Sequence, residues 1–189
     1  MLRKLITLIL TCSALAFPAS AGVTIHYEGT ATSPDAIVKI LATIATFAKK
    51  NRWKIDDASA TQGKLQRVVD EKDKDYEGKI TGVVVQVSDN CEPLHFQFGD
   101  DLFMQDYVKT QFAGADVHIQ ITELFEALRP HFRTLDIYDE GEYWDKHDRV
   151  ILEGHISKIN SVIEEEKQKN PSIHDPVRMV SGRIADIVE

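Results

Sequence analysis

KITGVVVQVSDNCEPLHFQF, residues 79–98, is the stretch that decides the fold class of this chain. Residues 79–87 are apolar on both faces through a run of valines, which is typical of a strand in the middle of a sheet. Residues 88–93 supply turn-forming side chains. Residues 94–98 alternate apolar and polar side chains, which predicts a strand with one buried face. Two adjacent strands joined by a short turn predict an antiparallel pair.

The segment before this hairpin predicts a strand followed by a helix. Residues 23–27 alternate apolar and polar side chains, as a half-buried strand does. Ser33 and Pro34 then form a helix start, with a capping hydroxyl before a proline at the first helical position. We expect this helix to run to about Asn51 with a wide apolar stripe that includes Val38. The polar residues 56–78 contain a mixed-charge run, residues 70–75, which predicts a solvated loop or a hairpin tip.

The segment after the hairpin predicts two more strands and two more helices. We expect a strand over 102–109, a helix over 114–129 that Pro130 ends, and a short strand over 135–138. Asp145, with Asp148 three residues later, resembles a capping box and predicts the start of a long helix that ends at Asn170. Asp175 and Pro176 repeat the helix-start signal near the end of the chain.

This order of elements predicts the fold class. Consecutive central strands imply antiparallel hairpins, with the helices segregated to one side of the sheet. We therefore expect an α+β fold with a single domain over 22–170, in which a mainly antiparallel sheet packs its helices on one side. Residues 171–189 are expected to form a C-terminal helical tail.

The first twenty-one residues, MLRKLITLILTCSALAFPASA, predict export. Two basic residues precede a short apolar run, and Ala19-Ser20-Ala21 forms a small-x-small cleavage site, so 1–21 is interpreted as a signal peptide. The apolar run is shorter than the roughly 18 residues that a membrane-spanning helix requires. We therefore expect a periplasmic or secreted product with no stable membrane insertion after cleavage.

The charge of the chain disfavours some partners. The 22 Lys and Arg residues and 30 Asp and Glu residues give −8, and loss of Arg3 and Lys4 with the signal would leave −10. An acidic surface repels phosphate backbones and anionic lipid, so we expect no nucleic-acid binding. The same charge favours a basic protein partner or a cation, or it serves solubility alone.

Cysteine and histidine spacing gives no cofactor signal. Without the signal peptide Cys91 is the sole cysteine, so it forms no internal disulfide; it is either buried or paired with another chain. The histidines show no H-E-x-x-H or comparable ligand spacing. We expect no metal and no other cofactor.

The densest polar and aromatic segment is the loop at 136–145, between a strand and a helix. We predict that it binds a partner, because acids beside aromatic rings suit a basic side chain. The alternative is a structural loop that covers the core and favours the helix dipole. The candidate partner-binding residues are Asp139, Glu140, Glu142, Tyr143 and Trp144.

No nucleophile elbow or phosphate loop is present, so an enzyme is the less favoured class. Two alternatives nevertheless stay open. One is a small periplasmic hydrolase that uses Asp139, Glu140 and His118, and the other is a cation or small-ligand carrier.

Two segments together resemble a pattern in uncharacterised exported bacterial proteins. These are KTQFAG at 109–114, followed by His118, and DEGEYW at 139–144. The resemblance implies no activity and assigns no site residue; it implies only that the two segments lie near each other. The function predicted from the sequence is an exported acidic binding protein, in one form an immunity-type protein that neutralises a periplasmic toxin.

Overall fold

The computed structural model describes residues 22–69, 71–170, 172, 174 and 176–185 of the chain. The predicted signal peptide, residues 1–21, lies outside them. The described residues form these elements in order: β1 (Thr24–Ala31), α1 (Pro34–Asn51), β2 (Lys54–Asp57), β3 (Ala60–Leu65), β4 (Val68–Val69), β5 (Lys72–Asp73), β6 (Tyr76–Gln86), β7 (Leu94–Phe98), β8 (Phe103–Lys109), α2 (Ala115–Leu128), β9 (Phe132–Asp139), α3 (Tyr143–Lys146), α4 (Arg149–Lys169), β10 (Val177–Arg178) and β11 (Ile184–Ala185).

Two antiparallel sheets hold most of the strands. In the first sheet β1 is central, with β8 on one side and β9 on the other. In the second sheet β6 is central and pairs with β2, β3 and β7. The β6–β7 hairpin is the one predicted from residues 79–98, with Val83 opposite Phe96. The α+β class with mainly antiparallel sheets is therefore confirmed.

Tyr27 of β1 links the two sheets. Its hydroxyl accepts a hydrogen bond from the backbone N–H of His95 in β7 at 3.0 Å and donates to the carbonyl oxygen of His95 at 3.2 Å. Its ring lies against Phe96 of β7 and Phe125 of α2, with centroid separations of 5.9 and 4.9 Å. Burial, with a smaller contribution from Asp106, raises the pKa of Tyr27 well above 10.0, so the hydroxyl stays a neutral donor.

The alternation along β1 gives the first sheet two different faces. Ile25 and Tyr27 are buried in the core that α1 and α2 share with both sheets. His26 and Glu28 point away from that core. We call this opposite surface the outer face; its side chains are His26, Glu28, Gln105, Tyr107, Asp136 and Tyr138.

The helix starts show one confirmed and one wrong prediction. Ser33 caps α1 by accepting from the Ala36 N–H at 3.1 Å, as its sequence predicts. The long helix α4 starts at Arg149 rather than after Asp145. Asp148 is the capping residue, and His147, with φ of 50°, separates α4 from the short helix α3. The carboxylate of Asp145 or of Asp148 could cap a helix. The left-handed backbone of His147 between them interrupts the helix, so α4 begins after Asp148.

Two apolar expectations are also corrected. Val38 does not widen the buried stripe of α1, because 65% of it is exposed. The tail predicted as a helix forms a small hairpin over its described residues, with β10 paired to β11. Gly182, with φ of +85°, makes the turn, and a left-handed glycine ends helical geometry. Ile184 is buried whereas Val180 is exposed, so the apolar residues do not form one helical stripe.

None of the helices in the described part of the chain combines the length and the apolar character that crossing a bilayer requires.

Candidate functional site

Asp139, the first residue of the predicted binding loop, lies at the end of β9 and turns inward. Its Oδ1 accepts from the Gly141 N–H at 2.7 Å, and its Oδ2 accepts from the Trp144 N–H at 2.9 Å. His118 Nε2 lies 3.0 Å from the same Oδ2. A carboxylate accepts hydrogen bonds and does not donate them, so His118 Nε2 carries the proton. Asp139 therefore fixes the loop from within.

His118 extends this contact into a buried chain of hydrogen bonds. Its Nδ1 lies 2.8 Å from the Thr110 hydroxyl, which also lies 3.1 Å from the Val23 carbonyl oxygen. The side chains of His118 and Asp139 are 0% exposed, and Thr110 is 0% exposed as a residue. The chain joins the segments 109–114 and 139–144. A hydroxyl, imidazole and carboxylate in this order resemble a catalytic triad, but no substrate reaches them without local opening.

The pKa of Asp139 reflects two opposed effects. Burial alone would raise it, because the charged form loses water. Hydrogen bonds from His118 and from the Trp144 and Gly141 N–H groups outweigh burial and hold the pKa below its ordinary value of 3.8. Asp139 is therefore ionised at neutral pH and is not available to a partner as a surface acid.

Glu140 lies where the loop meets the outer face. Its Oε2 accepts from the Thr24 N–H at 3.0 Å, and its Oε1 lies 3.8 Å from His26 Nε2. Burial raises the pKa of Glu140, whereas the contacts with His26 and Thr24 lower it, and the net pKa lies below 4.5. Glu140 therefore links the predicted loop to the outer face through the His26 imidazole.

The other predicted loop residues face neighbours within the chain. Glu142 accepts from His155 at 2.9 Å and pairs with Lys146 at 3.0 Å, and these contacts lower its pKa below 4.5. Tyr143 packs against the small cluster of Val23, Ala115 and Leu152. The Arg129 guanidinium lies 4.8 Å from the Trp144 ring centroid, so the chain itself places a basic side chain on this indole. Partner binding by this loop stays a prediction.

Cys91 is buried, which is one of its two expected states. Burial, followed by the charge of Glu92, raises the pKa of its thiol to about 12. A thiol with this pKa is protonated at neutral pH and is a poor nucleophile.

A groove of about 1040 Å³ lies on the outer face. Its floor is a row of three rings, in which His26 of β1 lies between Tyr107 of β8 and Tyr138 of β9. Both ring-centroid separations are 5.8 Å. Tyr138 is 67% exposed, so its ring is open to a ligand, and Tyr107 is 40% exposed. The β4–β5 hairpin, at the mixed-charge run, and Arg183 line the rest of the groove.

The acidic residues that line the groove differ in whether a described basic side chain pairs with them. Among the acids that line it, Asp75 pairs with Lys64 and Asp106 pairs with Arg183. Glu28, Asp73 and Asp136 have no ion pair to any residue that the structure describes. Carboxylates that lack a cation beside exposed aromatic rings form a surface that suits a positively charged side chain.

The chain already binds one arginine in this way at the end of the groove. The Arg183 guanidinium lies 3.9 Å from the Tyr107 ring centroid and pairs with Asp106 and Glu92. Its Nη1 also donates to the Tyr107 carbonyl oxygen at 2.7 Å. Arg183 thus has a ring of the outer face and two neighbouring carboxylates as its partners.

The outer face was not predicted as a site from the sequence. His26, Tyr107 and Tyr138 lie far apart in the chain, and only the pairing register of β8, β1 and β9 brings their rings together. The available signal was the polar or aromatic side chain at every second position of these strands.

Within the described ranges, no group of three or more His, Cys, Asp or Glu side chains is arranged to hold a metal ion. Comparison of the chain with known family models, with curated proteins and with solved structures gives no match in any of the three.

Proposed function

We propose that this protein is an exported acidic binding protein whose outer face binds a basic segment of another protein. The observation that carries the proposal is the row of rings formed by His26, Tyr107 and Tyr138. Beside it lie the carboxylates of Glu28, which accepts from Gln105 Nε2, and Asp136, and neither forms an ion pair with a described residue. The faces of tyrosine rings attract cations, and the carboxylates add charge-assisted hydrogen bonds. The net charge of −8 adds long-range attraction for a basic partner.

The competing hydrolase interpretation has less support. Two of its three candidate residues, His118 and Asp139, are buried and bonded to each other. A general acid or base must come within hydrogen-bond reach of its substrate. Glu140 is the third candidate, and both of its oxygens face Thr24 or His26.

The proposal predicts charge-selective peptide binding. The probe is a fluorescein-labelled nona-arginine peptide, and its fluorescence anisotropy is followed as the purified protein is added. We expect binding that weakens as salt is added, because exposed charges are screened. Tyr138→Ala and Asp136→Asn are each expected to raise Kd about fivefold, since an exposed cation–π or ion-pair contact contributes about 1 kcal/mol.

The matched control is Glu123→Gln, which removes one exposed acid from α2 on the opposite side of the sheet. It changes the net charge by the same amount as Asp136→Asn. Because it lies away from the outer face, it is expected to leave Kd within about a factor of two. The proposal fails if nona-arginine does not bind, or if Glu123→Gln weakens binding as much as Asp136→Asn does.

A finer form of the proposal is an immunity-type role against a toxin that reaches the periplasm. Its support is the predicted export, the small size and the acidic charge of the chain. We expect deletion of this gene alone to be lethal in cells that keep the neighbouring genes, and the wild-type gene to restore growth. A gene with both Tyr138→Ala and Asp136→Asn is expected not to restore it. Normal growth of the deletion strain would contradict the immunity role and leave the broader proposal to the peptide experiment.

A further inference from the structure

The two edges of the first sheet differ in how their backbone groups are satisfied. On the β8 edge, the Phe103 carbonyl oxygen accepts from Arg67 Nη2 at 2.8 Å, and the Tyr107 carbonyl oxygen accepts from Arg183 Nη1 at 2.7 Å. The Lys109 N–H donates to Glu92 Oε2 at 3.0 Å. Side chains therefore occupy this edge and prevent another strand from pairing there.

Among the described residues, no side chain covers the β9 edge in this way. The Glu140 N–H donates to the Thr24 carbonyl oxygen at 3.0 Å, so these two residues are a hydrogen-bonded pair. Such pairs recur at every second position of an antiparallel ladder, so Asp136 and Tyr138 direct their backbone groups toward β1. Leu135 and Ile137 direct theirs outward. In the part of the chain that the structure describes, no hydrogen bond reaches the outward N–H and C=O groups of Leu135 and Ile137.

The side chains beside this open edge differ between its two faces. Asp136 and Tyr138 are exposed on the outer face, next to the groove. Leu135 and Ile137 are half-buried on the other face and pack against the core. In a strand added at this edge, one set of alternate side chains would lie beside Asp136 and Tyr138. The other set would lie beside Leu135 and Ile137. Charge complementarity with Asp136 favours basic residues at one set of positions, and the aliphatic pair favours apolar residues at the other.

We propose that the basic partner binds by strand addition, with an extended segment of alternating basic and apolar residues paired antiparallel to β9. This inference rests on the proposed function and specifies how the partner is held. The segment's backbone would satisfy the outward groups of Leu135 and Ile137. Antiparallel pairing matches every strand pair in both sheets. A second copy of this acidic chain is disfavoured as the occupant, because it would bring Asp136 of two molecules to one edge.

The test uses the peptide acetyl-KVKVKVKV-amide and two isomers, one N-methylated at the valines and one at the lysines. Residues directly opposite each other in an antiparallel ladder share a face, so the valines would lie opposite Leu135 and Ile137 and direct their N–H groups at β9. Methylation of the valines is expected to raise Kd at least tenfold. Methylation of the lysines is expected to change Kd less than threefold.

Amide hydrogen exchange of the protein gives a second readout. With the unmodified peptide at ten times its Kd, exchange of the Leu135 and Ile137 amides is expected to slow about tenfold. Exchange of the Asp136 and Tyr138 amides, already bonded to β1, is expected to change little. Unchanged exchange at Leu135 and Ile137 would contradict strand addition.

The peptide results separate the two proposals. If nona-arginine binds but the alternating peptide does not, or if valine methylation leaves its Kd unchanged, strand addition is overturned and the basic-partner proposal stands. If neither nona-arginine nor the alternating peptide binds, both proposals fail.

Discussion

Replacing Asp139 with alanine is expected to lower the free energy of unfolding by about 3–5 kcal/mol, because it removes the shared acceptor of three hydrogen bonds and each unsatisfied buried donor costs about 1–3 kcal/mol. The change leaves His118 without its carboxylate and leaves the Gly141 and Trp144 N–H groups without their acceptor. Urea unfolding followed by circular dichroism measures the loss. The control is Asp136→Ala on the same strand, which is exposed and is expected to change stability by less than about 0.5 kcal/mol.

The pH dependence of the same comparison checks the cause. The pKa of Asp139 is below 3.8 in the folded protein, so its ionised form stabilises the fold. This stabilisation is complete at pH values above the ordinary aspartate pKa. This stabilisation is lost as the pH falls through the folded-state pKa. The stability difference between wild type and Asp139→Ala should therefore shrink below about pH 4. A difference that is under about 1 kcal/mol at neutral pH, or that stays constant in acid, would contradict a structural role for this carboxylate.

Replacing Phe125 with alanine is expected to cost about 3–5 kcal/mol, the range for truncation of a buried phenylalanine. Phe125 is 0% exposed and lies 4.9 Å from the Tyr27 ring and 5.7 Å from the Phe96 ring, by centroid distance. It therefore joins α2 to a strand of each sheet. Thermal and urea unfolding measure the loss.

The control for Phe125→Ala is Val38→Ala, because Val38 is an exposed apolar residue of α1. It is expected to change stability by less than about 0.5 kcal/mol. Equal losses in the two variants would show that the contact between Phe125, Tyr27 and Phe96 does not hold the sheets together.

The parts of the fold that depend on local chemistry were predictable from the sequence. The alternation in residues 94–98 and the valine run before it indicate the central hairpin, and Ser33-Pro34 indicates the start of α1. The tail was not predictable in this way. Its spacing suits a helix, but Gly182 turns the chain and Arg178 donates to the Cys91 carbonyl oxygen at 2.7 Å. That contact joins residues far apart in sequence, which periodicity does not record.

The candidate site was less predictable, because a composition of acids and rings does not show which way each side chain points. Asp139 belongs to the densest acidic loop, yet its partner is His118, which lies across the fold on α2. The reverse holds for His26. Its position in the sequence does not indicate a site, and strand pairing places two tyrosine rings beside it. Register between distant strands is the information that the sequence alone does not supply.

The most direct test of the central claim is to map backbone amide chemical shifts of the isotopically labelled protein as nona-arginine is added. We predict that the largest changes fall on His26, Tyr107, Asp136 and Tyr138, with little change along α1 and α2. Shifts concentrated on those helices, with the four strand residues unaffected, would contradict the assignment of the outer face as the binding surface.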